Sequence, residues 1–228
     1  MEQKDLKEQL RANPFLALND IIYQLLFDDI IYLRIPPSSK INEKQIAESL
    51  GVSRSPVNTA LQRLCDDGLL IKDGRKNLYV APMEKKECRQ LYESRIALEG
   101  YAAYLCVFRI EPPQIEHLEQ SIEEFERAII EDITTQAKYD ALFHSIIIDS
   151  AQNPYIAAMY KTTEYALLRY RNLLCHEVSH DSLCSFLQLS CKSHRAIKDA
   201  IKLGFADTAR KEMERHIATM LDAIREWK

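Results

Sequence analysis

Asp140 and His144 stand at i and i+4 in Asp-Ala-Leu-Phe-His, one helical turn apart, so a carboxylate and an imidazole can aim at one ion. Two further histidines, His194 in Ser-His-Arg-Ala-Ile and His216 in Glu-Arg-His-Ile, fall in separate helical patterns closer to the C-terminus. Antiparallel helices can converge such side chains on a bundle core. Imidazole and carboxylate together suit zinc, nickel, manganese or iron. The same residues also fit a plainer account, a surface ion pair plus two unrelated histidines, and spacing alone leaves both open.

A competing pattern lies between them. His176-Glu177-Val178-Ser179-His180 satisfies His-Glu-x-x-His, which on a helix presents two zinc ligands with a general base between them, as in zinc peptidases. Against that reading, Asp181 follows directly where such a helix should stay uncharged, and the segment falls at a predicted helix end. His117 sits in a charged helical pattern and reads as surface.

A second group of residues could meet nucleic acid. Ile41 to Leu50 reads as a short helix capped by Asn42 and ended by Gly51, and Arg54 to Gly68 as a second helix with Ser53 at its N-cap. Val57, Ala60, Leu61 and Leu64 form the buried stripe of that second helix, leaving Arg54, Asn58 and Gln62 on the opposite side. Leu69-Leu70-Ile71 and Leu78-Tyr79-Val80 then flank Lys72 to Asn77, a β-hairpin with a glycine and two cations at its tip. Helix, glycine turn, helix and basic hairpin in that order make a winged helix-turn-helix. Its second helix would enter the major groove, with Arg54 placed for a guanine edge and Asn58 for adenine. Lys44, Ser53, Ser55, Arg75 and Lys76 would contact phosphate or base edges.

These residues need elements to hold them. Residues 1–14 read as a charged tail, and residues 15–82 as the winged helix-turn-helix with an amphipathic helix from Phe15 to Leu33 stopped by Pro36-Pro37. From residue 83 onward the patterns are long and helical. Six antiparallel helices are expected: Glu84–Phe108, Gln114–Ile133, Thr135–Ala151, Pro154–Leu174, Leu183–Leu203, and Ala206 to the end. The fold class is therefore mainly α, an N-terminal winged helix-turn-helix followed by an all-α bundle. The six cysteines include no Cys-x-x-Cys pair and read as small buried hydrophobes in a reducing cytosol.

With 30 Lys+Arg against 34 Asp+Glu in 228 residues, the chain cannot hold nucleic acid through bulk basicity. The division of charge is more telling. Residues 1–83 carry 11 basic and 11 acidic side chains, the remainder 19 and 23, and Arg34 to Lys76 alone holds eight basic against five acidic. The cations gather where a winged helix would face phosphate. No apolar run approaches the roughly 20 residues of a membrane span, and the charged N-terminus is unlike a signal peptide, so a soluble cytoplasmic protein with no membrane partner is expected.

The stretch "INEKQIAESLGVSRSPVNTALQRLCDDGLLIKDGRKNLYV" resembles the winged helix of GntR-family bacterial transcription regulators. The helical remainder resembles the FCD effector-binding domain of the FadR subfamily, in its shorter, six-helix VanR-type branch. The resemblance covers Phe15 to Trp227. It departs at Asn58, where the family usually has Arg after Pro-Val, so an operator sequence should not be carried across. FCD domains commonly bind a divalent metal through one Asp and three His in this order and spacing, which implies Asp140, His144, His194 and His216 as ligands of a metal, zinc first. Arg95, in Ser-Arg-Ile-Ala-Leu-Glu, matches the arginine that such domains direct into the effector cavity; its alternative is an intrahelical ion pair with Glu99. Arg169 and Tyr165 are further effector candidates. No base or nucleophile is evident beside the metal, so it would anchor an effector rather than catalyse.

The resemblance thus implies a homodimeric repressor that reads a pseudo-palindromic double-stranded DNA operator and answers to a small organic acid bound at a metal. Two other readings stand beside it: a metal-responsive regulator with no organic effector, and a zinc peptidase built on His176, Glu177 and His180.

Overall fold

The computed structural model describes residues 3–12, 15–132, 135–177 and 180–226, and the chain divides into two compact units, Met1–Met83 and Glu84–Lys228. In the first unit α1 spans Gln3–Ala12, α2 Leu18–Ile31, α3 Glu43–Leu50 and α4 Arg54–Asp66, with strands β1 Lys40–Ile41, β2 Leu70–Lys72 and β3 Leu78–Val80. The second unit is wholly helical among the described residues: α5 Lys85–Cys106, α6 Pro112–Glu131, α7 Gln136–Ser150, α8 Pro154–Lys161, α9 Glu164–Glu177, α10 His180–Lys202 and α11 Ala206–Glu226.

The helix-turn-helix forms for local reasons. Asn42 Oδ1 accepts from Gln45 N–H at 3.2 Å, closing the start of α3. Gly51 then adopts φ 68°, the left-handed conformation that lets its N–H reach back to the carbonyls of Ala47 and Glu48 and turn the chain into α4. Ser53 occupies the N-cap position of α4 in an extended conformation, but its hydroxyl makes no capping bond. Val57, Ala60, Leu61 and Leu64 bury the inner face of α4 against Ile22, Leu26, Ile30 and their neighbours on α2, which leaves the opposite face of α4 open to a groove.

Three features differ from the sequence expectation. The supposed charged tail is α1, packed on α2 and α3 with Leu6 buried; its single inward apolar side chain per two turns is hidden among charges. The wing is a three-stranded sheet in the order β1-β3-β2, because Lys40 and Ile41 pair antiparallel with Tyr79 and Leu78. A strand of two residues has no alternation to read. The expected fourth helix of the bundle is two: Thr162 Oγ1 donates to Met159 O and Thr163 Oγ1 to Tyr160 O, both at 2.7 Å. These β-branched hydroxyls offer the preceding carbonyls another partner and end α8.

In the bundle α5 packs along α11 and against α7, while α6 packs on α7 and α10. Pro112 and Pro113 sit inside the first turn of α6, where their missing donors cost nothing, so the helix begins two residues before Gln114. Asn153 caps α8, its Oδ1 accepting from the N–H of Tyr155 and Ile156. Among the described residues no helix is long and apolar enough to cross a membrane.

Candidate metal centre and nucleic-acid interface

The bundle brings Asp140 and His144 of α7, His194 of α10 and His216 of α11 together, with one potential ligand atom from each lying within 4.8 Å of all the others. The Nε2 atoms of His194 and His216 are 3.1 Å apart, and those of His216 and His144 3.2 Å. Asp140 Oδ1 is 3.3 Å from His194 Nε2, and its Oδ2 is 3.9 Å from His144 Nε2. Atoms bound to one ion at about 2.0–2.1 Å and separated by angles of about 90–110° lie roughly 2.9–3.4 Å apart. The histidine spacings fall in that range.

His144 Nδ1 lies 2.5 Å from Glu99 Oε2, a charged contact outside hydrogen-bond geometry; a proton on Nδ1 would leave Nε2 a lone pair facing the cluster. Ser193 Oγ lies 2.8 Å from Ser190 O and 2.9 Å from His216 Nδ1; if its one proton goes to Ser190 O, it accepts from Nδ1–H and His216 Nε2 is also a lone pair. With both rings protonated on Nδ1, two lone pairs would face each other across 3.2 Å, an arrangement that suits a cation between them. Burial pushes the His144 pKa down against the opposing pull of Glu99, and pushes His216 well down with help from the neighbouring His194 and His144. These two rings, His144 and His216, are therefore neutral at neutral pH, the form a metal requires. His194 is packed flat on Phe143, ring centroids 4.1 Å apart, with Phe125 at 5.2 Å.

Charged groups surround the cluster. Arg171 Nη2 lies 2.5 Å from Asp140 Oδ2, and Arg95 Nε binds Glu99 Oε1. Burial would raise both carboxyls, but Arg171 and the histidines hold Asp140 well below its ordinary range, and Arg95 with His144 holds Glu99 down to about 2. The ion pair weighed as the alternative role for Arg95 therefore exists, and it is buried, at 3% and 1% side-chain exposure. Arg95 Nη2 and the hydroxyl of Tyr92, whose ring centroid lies 5.1 Å from the guanidinium carbon, are buried with no hydrogen-bond partner among the described residues.

The other effector candidates are placed less closely. Arg169 is buried with Tyr170 and Glu87 as its electrostatic neighbours, and Tyr165 is half-buried. The arginine of α9 that touches the ligand set is Arg171, which sequence reasoning passed over, while Glu99 entered it only as the ion-pair partner of Arg95. Glu99 carried a signal in its i+4 spacing from Arg95; Arg171 carried none, because the break at Thr162 resets the helical register. His176 and Glu177 close α9 and His180 opens α10, and their side chains lie outside the described residues.

In the first unit Lys44, Ser53, Arg54, Ser55, Asn58, Arg75 and Lys76 are all exposed. Lys44 pairs loosely with Glu48, at 3.7 Å. The wing tip is fixed by Asp73, whose carboxylate accepts from the N–H of Arg75 and Asn77 and from Asn77 Nδ2, with Lys76 at φ 63°. That turn holds Arg75 and Lys76 outward without an acidic side chain paired to either.

The family model for bacterial regulatory proteins of the gntR family matches residues 18–80, and that of the FCD domain matches residues 90–219. An uncharacterized HTH-type transcriptional regulator of Bacillus subtilis (strain 168), YdhC, is 28% identical over 183 residues, 79% of each chain. The HTH-type transcriptional repressor RspR of Escherichia coli (strain K12) is 23% identical over 222 residues, 96% of this chain and 93% of its own. Among solved structures, E. coli McbR/YncC superposes with a TM-score of 0.75 at 18% identity, covering 93% of this chain and 99% of its own. A GntR regulator from Rhodococcus sp. RHA1 gives 0.73 at 18%, covering 91% and 97%. At these identities the structures speak to the fold alone.

Proposed function

The chain belongs to the GntR family of bacterial regulatory proteins and carries an FCD domain, and on that premise we propose that it is a repressor whose affinity for a DNA operator is set by a small carboxylate effector held at a divalent metal ion in the helical unit. It is a DNA-binding transcription regulator and not an enzyme, which removes the peptidase reading. The observation that carries the metal is the meeting of three imidazole Nε2 atoms and one carboxylate, with the outer nitrogens of His144 and His216 lying 2.5 Å from Glu99 and 2.9 Å from Ser193. When bound, the ion supplies a Lewis-acidic, positively charged anchor for an anionic ligand.

Two buried donors favour an organic effector over a response to metal alone. Arg95 Nη2 and the Tyr92 hydroxyl have no partner among the described residues, and a buried unpaired donor costs about 1–3 kcal/mol. A carboxylate satisfies both. Arg95 is thus the effector contact supported by geometry; Arg169 and Tyr165 remain proposals resting on the family resemblance. Exposed Arg54 and Asn58 would read base edges, and Lys44, Ser53, Ser55, Arg75 and Lys76 would hold the backbone of a pseudo-palindromic site, each recognition helix of a homodimer taking one half. The name of the repressor RspR supports the sign of regulation.

The test is a titration of the full-length protein on DNA from upstream of its own gene, with and without zinc, in the presence of a panel of small organic acids. Specific binding that one acid weakens only when zinc is present is the expected result. Binding that follows zinc alone, whatever the acid, would establish the metal-responsive reading instead.

A further inference from the structure

Metal affinity in a site of neutral imidazoles depends on what holds the far nitrogen of each ring, since that bond fixes the tautomer and raises the basicity of the coordinating nitrogen. The three histidines differ in this respect. His216 Nδ1 meets a serine hydroxyl, and His194 Nδ1 is buried with no partner among the described residues. His144 Nδ1 lies 2.5 Å from a carboxylate oxygen of Glu99, a charged contact although not one of hydrogen-bond geometry, and that carboxylate is itself gripped by Arg95. All three members of the chain Arg95, Glu99 and His144 have side chains at most 3% exposed, so water neither screens nor replaces their contacts.

We infer that Arg95 and Glu99 form a positioning relay for the metal: Arg95 Nε orients the Glu99 carboxylate, and Glu99 orients and polarises His144, making it the strongest nitrogen donor of the set. Neither residue touches the ion. Arg95 thereby has a second task beside the effector contact, carried by a different atom, Nε rather than Nη2. The spacing serves the relay directly: Arg95 and Glu99 lie one turn apart on α5, and α5 packs against the helix that carries His144. The inference rests on the proposed metal site.

The experiment is a competition for zinc between the metal-free full-length chain and a chromophoric chelator, read alongside the visible absorption of the cobalt-loaded protein. Glu99→Gln keeps an oxygen facing His144 but removes its charge; about 10- to 100-fold weaker zinc binding and a shifted cobalt spectrum are expected. Because that change leaves the Arg95 charge buried without its partner, the double variant Arg95→Met with Glu99→Gln removes both charges and carries the test if the single variant loses its helical signal. Gly100→Ala, a neighbouring change that perturbs packing alone, should keep both the zinc affinity and the cobalt spectrum. Unchanged zinc affinity in a folded Glu99 variant overturns the relay and leaves the metal site standing. A wild-type chain that takes up no zinc or cobalt overturns the metal reading beneath it.

Discussion

Arg171 and Asp140 are paired through a single carboxylate oxygen: Arg171 Nη2 is 2.5 Å from Asp140 Oδ2, while Asp140 Oδ1 stands 3.3 Å from His194 Nε2. With 6% and 12% side-chain exposure, the pair is buried, and removing one partner of such a pair costs about 3–5 kcal/mol because the other charge is left in the interior. A divalent cation among the ligands would supply the missing positive charge. Arg171→Met should therefore be strongly destabilised in chelator and recover most of that loss in zinc, as read by denaturant unfolding under both conditions. A loss of equal size with and without zinc would show that Asp140 does not face the ion.

The metal-free protein should lose stability in two steps as pH falls. His144 and His216 have pKa values depressed below the ordinary 6.5 by burial. Below about 6.5 the unfolded chain takes up protons that the native rings refuse, so stability declines as pH falls through that value, and it is unaffected above it. Glu99, held at about 2 against 4.5 unfolded, and Asp140, well below 3.8, contribute stability that is complete above about 4.5 and lost as pH falls toward 2. His216→Gln should flatten the first step and leave the second. A variant profile identical to wild type between those values would remove His216 from the titrating set.

Of the cluster, spacing showed only that Asp140 and His144 share one helical face; that His194 and His216 join them was implied by the family resemblance, since their meeting depends on how three helices pack. The winged helix was legible for a different reason: Asn42, Gly51 and the apolar stripe of α4 are local signals that act within one or two turns. What lay beyond the sequence was set by long-range contact. Arg171 meets Asp140 only because α9 crosses α7, and β1 exists only because Lys40 and Ile41 find β3 nearly forty residues later. α1 escaped because charge dominates its composition, and one buried Leu6 is too little pattern to separate a helix from a tail.

Gly100 of α5 lies against the Glu214 side chain of α11. A Cβ there would stand 2.7 Å from Glu214 Cγ, and Cγ is too near the α11 backbone to move without a new rotamer. Overpacking of this kind costs about 1–3 kcal/mol, whereas Ala gains about 1 kcal/mol over Gly in a helix interior. Gly100→Ala should therefore destabilise the wild-type chain but stabilise the Glu214→Ala variant, a reversal of sign that a double-mutant cycle by thermal unfolding would record. The same sign in both backgrounds would mean that α5 and α11 are not in register as described.

On the DNA side, the two groups of exposed cations should separate by what they change. Arg54, in the first turn of α4, is the residue we propose for a base edge, and a good bidentate base contact is worth about 1–3 kcal/mol of discrimination. Arg54→Ala should weaken operator binding by roughly 10- to 100-fold while leaving binding to unrelated DNA almost untouched. Arg75 and Lys76 sit on a wing tip shaped by Asp73, where they can reach phosphate but have no helix to carry them to base edges. Removing both should weaken operator and unrelated DNA alike, and should reduce the slope of log affinity against log salt by about 2, one for each lost phosphate contact. Fluorescence anisotropy across a salt series measures both quantities at once. An Arg54 variant with a reduced salt slope and unchanged discrimination would place that arginine on the phosphate backbone, and recognition would then have to come from Asn58 and the shape of the DNA.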